Sequence, residues 1–245
     1  MQKMIGKIAR MYPMMILMGF MIVVIAFVVG YLNSQSAAVY FAEAKVVREA
    51  SLLAERAAIE STGLWLPYVK FLGLGLILGG IIMALRVIID NLQDAGKEVL
   101  TNLPQEKRPA APKAPWYGLM MPIVMMLGEV IFIVALFVSL NLAGIAREVF
   151  SNPIAAIDAA GAGSALLVGL QTIQATSAWL VPFKFFGIAT EFLAIVMGLS
   201  TIVYILTQQT QMLDIGIGLA RSMKSNKSKP DAEAVADPIA APALQ

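Results

Sequence analysis

Four stretches of this chain are long and apolar enough to cross a bilayer, and no other feature narrows its fold as far. A transmembrane helix needs about 20 largely apolar residues to cover about 30 Å of hydrocarbon. Met14–Leu32 meets that requirement without one charged side chain. Leu66–Ile89 holds only Lys70 and Arg86, near its two ends, where long stems carry the charge toward water. Tyr117–Leu140 is interrupted only by Glu129, and Pro182–Leu206 carries Glu191 in its interior. Backbone groups in hydrocarbon must be satisfied within their own segment, so the spans, at about 13–32, 66–89, 117–140 and 182–206, are predicted to be helices. Of the 245 residues 59% are apolar and 14% charged, where soluble domains carry about 45–50% and about 25%. The expected class is an all-α membrane protein.

Orientation follows from where Lys and Arg gather beside the spans. Lys3, Lys7 and Arg10 precede the first; Lys97, Lys107, Arg108 and Lys113 follow the second; Arg221, Lys224, Lys227 and Lys229 follow the fourth. With four crossings these regions share one side. The opposite loops hold Lys45, Arg48 and Arg56 against Glu43, Glu49, Glu55 and Glu60, and then Arg147. Both termini are therefore predicted to be cytoplasmic, in the cytoplasmic (inner) membrane. The first apolar run exceeds the 7–15 residues of a signal peptide, which favours a retained anchor. A net charge of +2, gathered beside the spans, points to lipid and away from nucleic acid.

The segment Trp65-Leu66-Pro67-Tyr68-Val69-Lys70-Phe71-Leu72-Gly73 recurs as Trp179-Leu180-Val181-Pro182-Phe183-Lys184-Phe185-Phe186-Gly187. Trp, Leu, Lys, Phe and Gly coincide without a gap. Pro13 and Gly19 have the spacing of Pro122 and Gly128. The chain thus reads as a tandem duplication of a two-helix unit, residues 1–103 and 116–221, in parallel orientation because each unit crosses an even number of times. In the repeated motif Trp65 and Trp179 suit the headgroup level, Lys70 and Lys184 reach water, and Pro67 and Pro182 fit a first helical turn. The two lysines read first as interfacial anchors, and second as a paired cationic site for an anionic headgroup or substrate.

In the first long loop Ala44–Glu60 is predicted to be helical, an extension of the membrane helices with a small-residue stripe of Val47, Ala50, Ala54 and Ala57. Lys45 with Glu49, and Arg56 with Glu60, stand at pairing distance along it. The second loop, Asn141–Ala178, breaks at Asn152-Pro153 and at Gly161-Ala162-Gly163. Pro104, Pro109, Pro112 and Pro115 make residues 104–115 a linker that cannot be one helix. Residues 222–245, poor in aromatics and mixed in Lys, Asp, Pro and Ala, are predicted to form a disordered cytoplasmic tail.

The chain has no His and no Cys. That removes His-ligated haem, thiolate metal sites, disulfides and triads built on His or Cys. No Walker loop, nucleophile elbow or dinucleotide fingerprint occurs in a usable context. No catalytic residue, metal ligand or cofactor site is assigned. Ionisable groups deep in a bilayer are costly, so Glu129 and Glu191 must face protein or water, and they are the candidate ion, proton or partner-binding residues. Lys184 shares the helix face of Glu191 two turns away. Phe20 and Ile77 occupy the equivalent places in the first half. Arg86 and Asp90 stand at ion-pair spacing. Gly75 and Gly79 form a GxxxG pattern suited to close helix packing. The 15 methionines include two cytoplasmic-side groups, Met11, Met14, Met15 and Met18 on one face and Met121 with Met125, read as adaptable packing rather than copper ligands.

The function these features lead to is a non-catalytic accessory or structural subunit of a larger integral membrane complex, packing on partner helices and docking partners through its extracytoplasmic helices, with other membrane subunits or further copies of itself as partners. The alternative is a small ion, proton or solute transporter or channel using Glu129 and Glu191.

Overall fold

The computed structural model describes residues 9–101 and 115–227, and every regular element among them is a helix. In chain order these are α1 Tyr12–Ala42, α2 Lys45–Ser51, α3 Leu53–Thr101, α4 Trp116–Phe150, α5 Ile154–Asp158 and α6 Ala165–Lys227. α1, α3, α4 and α6 are each long and apolar enough to cross a membrane. The architecture is all-helical and multi-pass. Residues 104–114 of the linker and 228–245 of the tail lie outside the described residues.

Local chemistry sets the boundaries. Pro13 stands in the first turn of α1, where its missing donor costs nothing. α4 ends where the side chains of Ser151 and Asn152 both donate to the Glu148 carbonyl, each at 2.8 Å, just before Pro153. Gly163, at φ +80°, takes the left-handed turn that leads into α6. The Ser164 hydroxyl then caps α6 by accepting from the Leu167 N–H at 3.3 Å.

The helices overrun the predicted spans. At 1.5 Å per residue α3, with 49 residues, is about 74 Å long and α6, with 63, about 95 Å, against about 40–45 Å for a bilayer with its headgroups. Three expectations change as a result. Pro67 and Pro182 lie inside α3 and α6 rather than in a first turn, because helix already forms upstream from Leu53 and Ala165. α6 continues to Lys227, so the segment from Ser222 to Lys227 is helical. The Ala44–Glu60 helix is split at Leu52 (φ −110°, ψ 27°), which takes its stripe off a common face. Of that stripe Ala57 is buried, while Val47, Ala50 and Ala54 are exposed.

α3 is the central helix, packed against α1, α4 and α6, with α4 also on α6; α1 packs chiefly on α3. In lipid this packing rests on close backbone approach and dispersion rather than on leaving water. Glycines make the approach. A methyl at Gly19 would lie 2.5 Å from the Gly73 carbonyl oxygen, and one at Gly80 2.5 Å from Ile16 Cγ1. One core joins Ile82 and Ile89 of α3, Met121 and Met125 of α4 and Ala194 and Ile205 of α6. A second joins Tyr68, Ala135 and Leu180, and a third Leu142, Ala146, Val149 and Ile173. Of the other methionine group, Met15 packs on the first core while Met11, Met14 and Met18 are exposed. With one principal neighbour, α1 leaves Phe20, Val24, Phe27 and Tyr31 uncovered, a surface suited to lipid.

Candidate functional site

Glu129 and Glu191 are brought to one level of the bundle. Glu129, on α4, faces the α3 glycines: a methyl at Gly79 would lie 2.8 Å from its Oε1 and one at Gly75 3.3 Å from its Oε2. The GxxxG pair therefore does not meet another glycine helix; it makes room for a carboxyl. Glu191, on α6, has no exposed surface. A methyl at Gly128 would lie 2.5 Å from its Oε1 and 2.8 Å from Thr190 Oγ1. Phe132, three residues after Glu129 and so on the same face, is also buried and fills the space beside both Gly75 and Gly187. It wedges α3, α4 and α6 together next to the carboxyls.

Among the described residues no basic group pairs with either carboxyl. Glu129 Oε1 and both carboxyl oxygens of Glu191 are buried with no hydrogen-bond partner among the described residues. The adjacent Thr190 hydroxyl donates to the Gly187 carbonyl at 2.6 Å, so its own proton is not available to a carboxylate. The ion pairs among the described residues are Lys45–Glu49 at 3.6 Å, Arg86–Asp90 at 3.0 Å and Lys97–Asp94 at 2.7 Å. An uncompensated carboxylate in such a place is expensive, so a proton, a bound cation or a basic group must accompany its charge. Two carboxyls fall short of a multidentate centre, and no group of three or more acidic, His or Cys side chains occurs among the described residues.

Lys184 does not reach Glu191. Its ammonium sits over Phe71 at 4.7 Å, Tyr68 at 5.1 Å and Phe185 at 5.6 Å from the ring centroids, a cation–π contact that ties α6 to α3. Lys70 is exposed, with its ammonium beside Gly30 of α1. The two lysines thus lean on different helices. Trp65 is half-buried on α3, and Trp179 is exposed on α6, edge-on to Phe183 at 5.6 Å. Arg56 does not pair with Glu60; its guanidinium lies over the Phe150 ring at 5.1 Å instead.

Sequence reasoning missed Phe132, whose signal was its spacing of three from Glu129. It also missed the aromatic surroundings of the half-buried Arg48 and Arg56, which depend on rings brought from helix ends. No family model, no curated protein and no solved structure matches the chain.

Proposed function

We propose that this protein is a non-catalytic subunit of a larger integral membrane assembly, packing on partner helices and docking partners on the parts of α3 and α6 that leave the bilayer. The carrying observation is the overrun of α6. Beyond Leu206, where its predicted span ends, it continues to Lys227 and presents Leu213, Ile215 and Ile217 about half exposed. Large apolar side chains past the hydrocarbon gain nothing from lipid and are well suited to a protein partner. The opposite end supports the same reading with Phe41 and Val46 exposed. The test is the native mass of the tagged, gently solubilised protein beside that of Leu213→Ser/Ile217→Ser. Stoichiometric membrane partners that the double variant releases support the reading. A homo-oligomer unchanged by the double variant overturns it.

The unpartnered, fully buried Glu191 favours a second reading, transport of a proton or cation along the Glu129–Glu191 seam. Flux into proteoliposomes lost in Glu129→Gln and Glu191→Gln, with assembly intact, is its signature.

In both readings the chain is a duplicated two-helix unit in the cytoplasmic membrane, with both termini cytoplasmic. Support comes from matched contacts. A methyl at Gly73 would meet Ile22 and Val23 of α1, and one at Gly187 would meet Ile131 and Phe132 of α4, residues at the same spacing from Gly19 and Gly128. Likewise Gly19 abuts Ile77 where Gly128 abuts Glu191.

A further inference from the structure

We propose that the corner between the end of α1, α2 and the start of α3 is a binding site for a phosphate group. A cavity of about 210 Å³ lies there, lined among others by Tyr40, Lys45, Arg48, Glu49, Arg56 and Glu60. Its lining carries three cations against two carboxylates, and Lys45 is already paired with Glu49 at 3.6 Å. Arg48 and Arg56 form no ion pair among the described residues. They are held by rings instead. The Arg48 guanidinium carbon lies 5.5 Å from the Tyr40 centroid and 5.4 Å from that of Phe41, and Arg56 lies 5.1 Å from that of Phe150.

A ring face fixes a guanidinium without using its N–H donors. Arg48 Nε and Arg56 Nη1 are accordingly buried with no acceptor among the described residues, and Glu49 Oε1 beside them, 3.6 Å from Lys45, is likewise buried with no hydrogen bond. Buried charged donors without acceptors are costly, which is the condition an anionic ligand relieves. The two guanidiniums come from different helices, and a tetrahedral phosphate, with oxygens pointing several ways, has enough acceptors to meet both forks. At 1.5 Å per residue Tyr40 stands about 12 Å past Leu32 along α1, a few ångströms beyond a headgroup layer roughly 5–8 Å deep. A free phosphate ester reaches that level from water, and a lipid phosphate only where its headgroup extends outward; the recognition chemistry is the same.

The test uses the full chain in neutral detergent with two probes, inorganic phosphate and phosphatidylglycerol mixed micelles. Retention is measured for the wild type, Arg48→Gln/Arg56→Gln, Arg48→Lys/Arg56→Lys and the distant Lys97→Gln. At least one probe is retained by the wild type and by Lys97→Gln, and its affinity falls by about tenfold or more in the Gln double variant. Loss confined to phosphatidylglycerol identifies a headgroup as the source, and loss of inorganic phosphate binding a soluble ligand. Should the Gln variant fail to fold, the Lys variant carries the test, because it keeps the charge and removes the forks; the same direction of loss is expected. Retention of neither probe by the wild type, or equal retention by the folded double variants, overturns the proposal.

Discussion

Replacing Gly19 with alanine tests the α1–α3 crossing at its tightest point. The added methyl would lie 2.5 Å from the Gly73 carbonyl oxygen and 2.9 Å from the Ile77 nitrogen. Both are backbone atoms of a continuous helix and cannot swing aside. Ordinary contact begins near 3.4 Å, so α1 must retreat by 3.4 − 2.5, or about 0.9 Å. A gap of 0.5–1 Å forfeits about a quarter to a half of each dispersion contact of about 0.1–0.2 kcal/mol. For a crossing with as many atom pairs as one buried leucine, about 40–60, the loss is roughly 1–6 kcal/mol, and measured overpacking costs of about 1–3 kcal/mol place it in the lower half of that range. The better helix propensity of alanine returns up to about 1 kcal/mol. A net loss of about 1–2 kcal/mol is expected, a factor of about 5–30 in the folded ratio. Unfolding by SDS titration, followed by tryptophan fluorescence, reads it out. Gly144→Ala, whose methyl would meet nothing within 4 Å, is the comparison and should be neutral or stabilised. A Gly19→Ala midpoint equal to or above that of Gly144→Ala refutes the reasoning.

Glu191→Gln keeps the shape of a fully buried side chain and removes its charge, so its thermal midpoint should not fall below that of the wild type; a drop of several degrees would mean that the charge itself is stabilising. Lys184→Met keeps the stem and loses three ring contacts, for an expected cost of about 0.5–2 kcal/mol in SDS titration, while Lys70→Met is close to neutral; equal effects would contradict the cation–π assignment. Cysteines introduced singly at Lys97 and Arg221, both exposed, should label from one side of the membrane and a cysteine at Lys45 from the other. Lys97 and Arg221 labelling from opposite sides would remove the even number of crossings on which the duplication depends.

The spans were legible because a bilayer imposes one simple demand, length without charge, on each helix separately. Glu129 and Glu191 were legible for the same reason, since each interrupts an apolar run. Which helices touch was not. Hydrophobic periodicity carries no signal where lipid and protein interior are equally apolar, and so nothing in the pattern says that Gly75 and Gly79 receive Glu129 while Gly73 and Gly80 receive α1. Helix ends were misplaced for another reason: the region after Leu206, with Thr207, Thr210, Gly216 and Gly218, has weak helix propensity of its own and its continuation depends on packing, as at Gln209, whose amide donates to the Leu92 carbonyl at 2.6 Å. The failure of the expected Arg56–Glu60 pair is similar. Spacing allowed it, but the Phe150 ring, remote in sequence, took the guanidinium.

In the proposed duplication the two halves differ in the residue after the crossing glycine, Phe20 after Gly19 and Glu129 after Gly128, and the bundle supplies a physical reason. α1 has one principal neighbour, so the residue following its glycine turns outward, and Phe20 is 55% exposed on a surface suited to lipid. α4 has two neighbours, α3 and α6, so the equivalent position turns into a seam where Gly75 and Gly79 leave room for a side chain. A carboxyl placed at Phe20 would meet hydrocarbon, at a cost of about 2.5–3.5 kcal/mol on insertion scales. At Glu129 it meets protein and lies near a second carboxyl. Ile77, half-buried on α3, abuts Gly19 as Glu191 abuts Gly128. The seam bordered by a third helix encloses Glu191 fully and leaves Glu129 half-buried. The polar character of the second pair therefore follows from its place beside α3, and separating α4 from α3 should disturb the carboxyls while separating α1 should not.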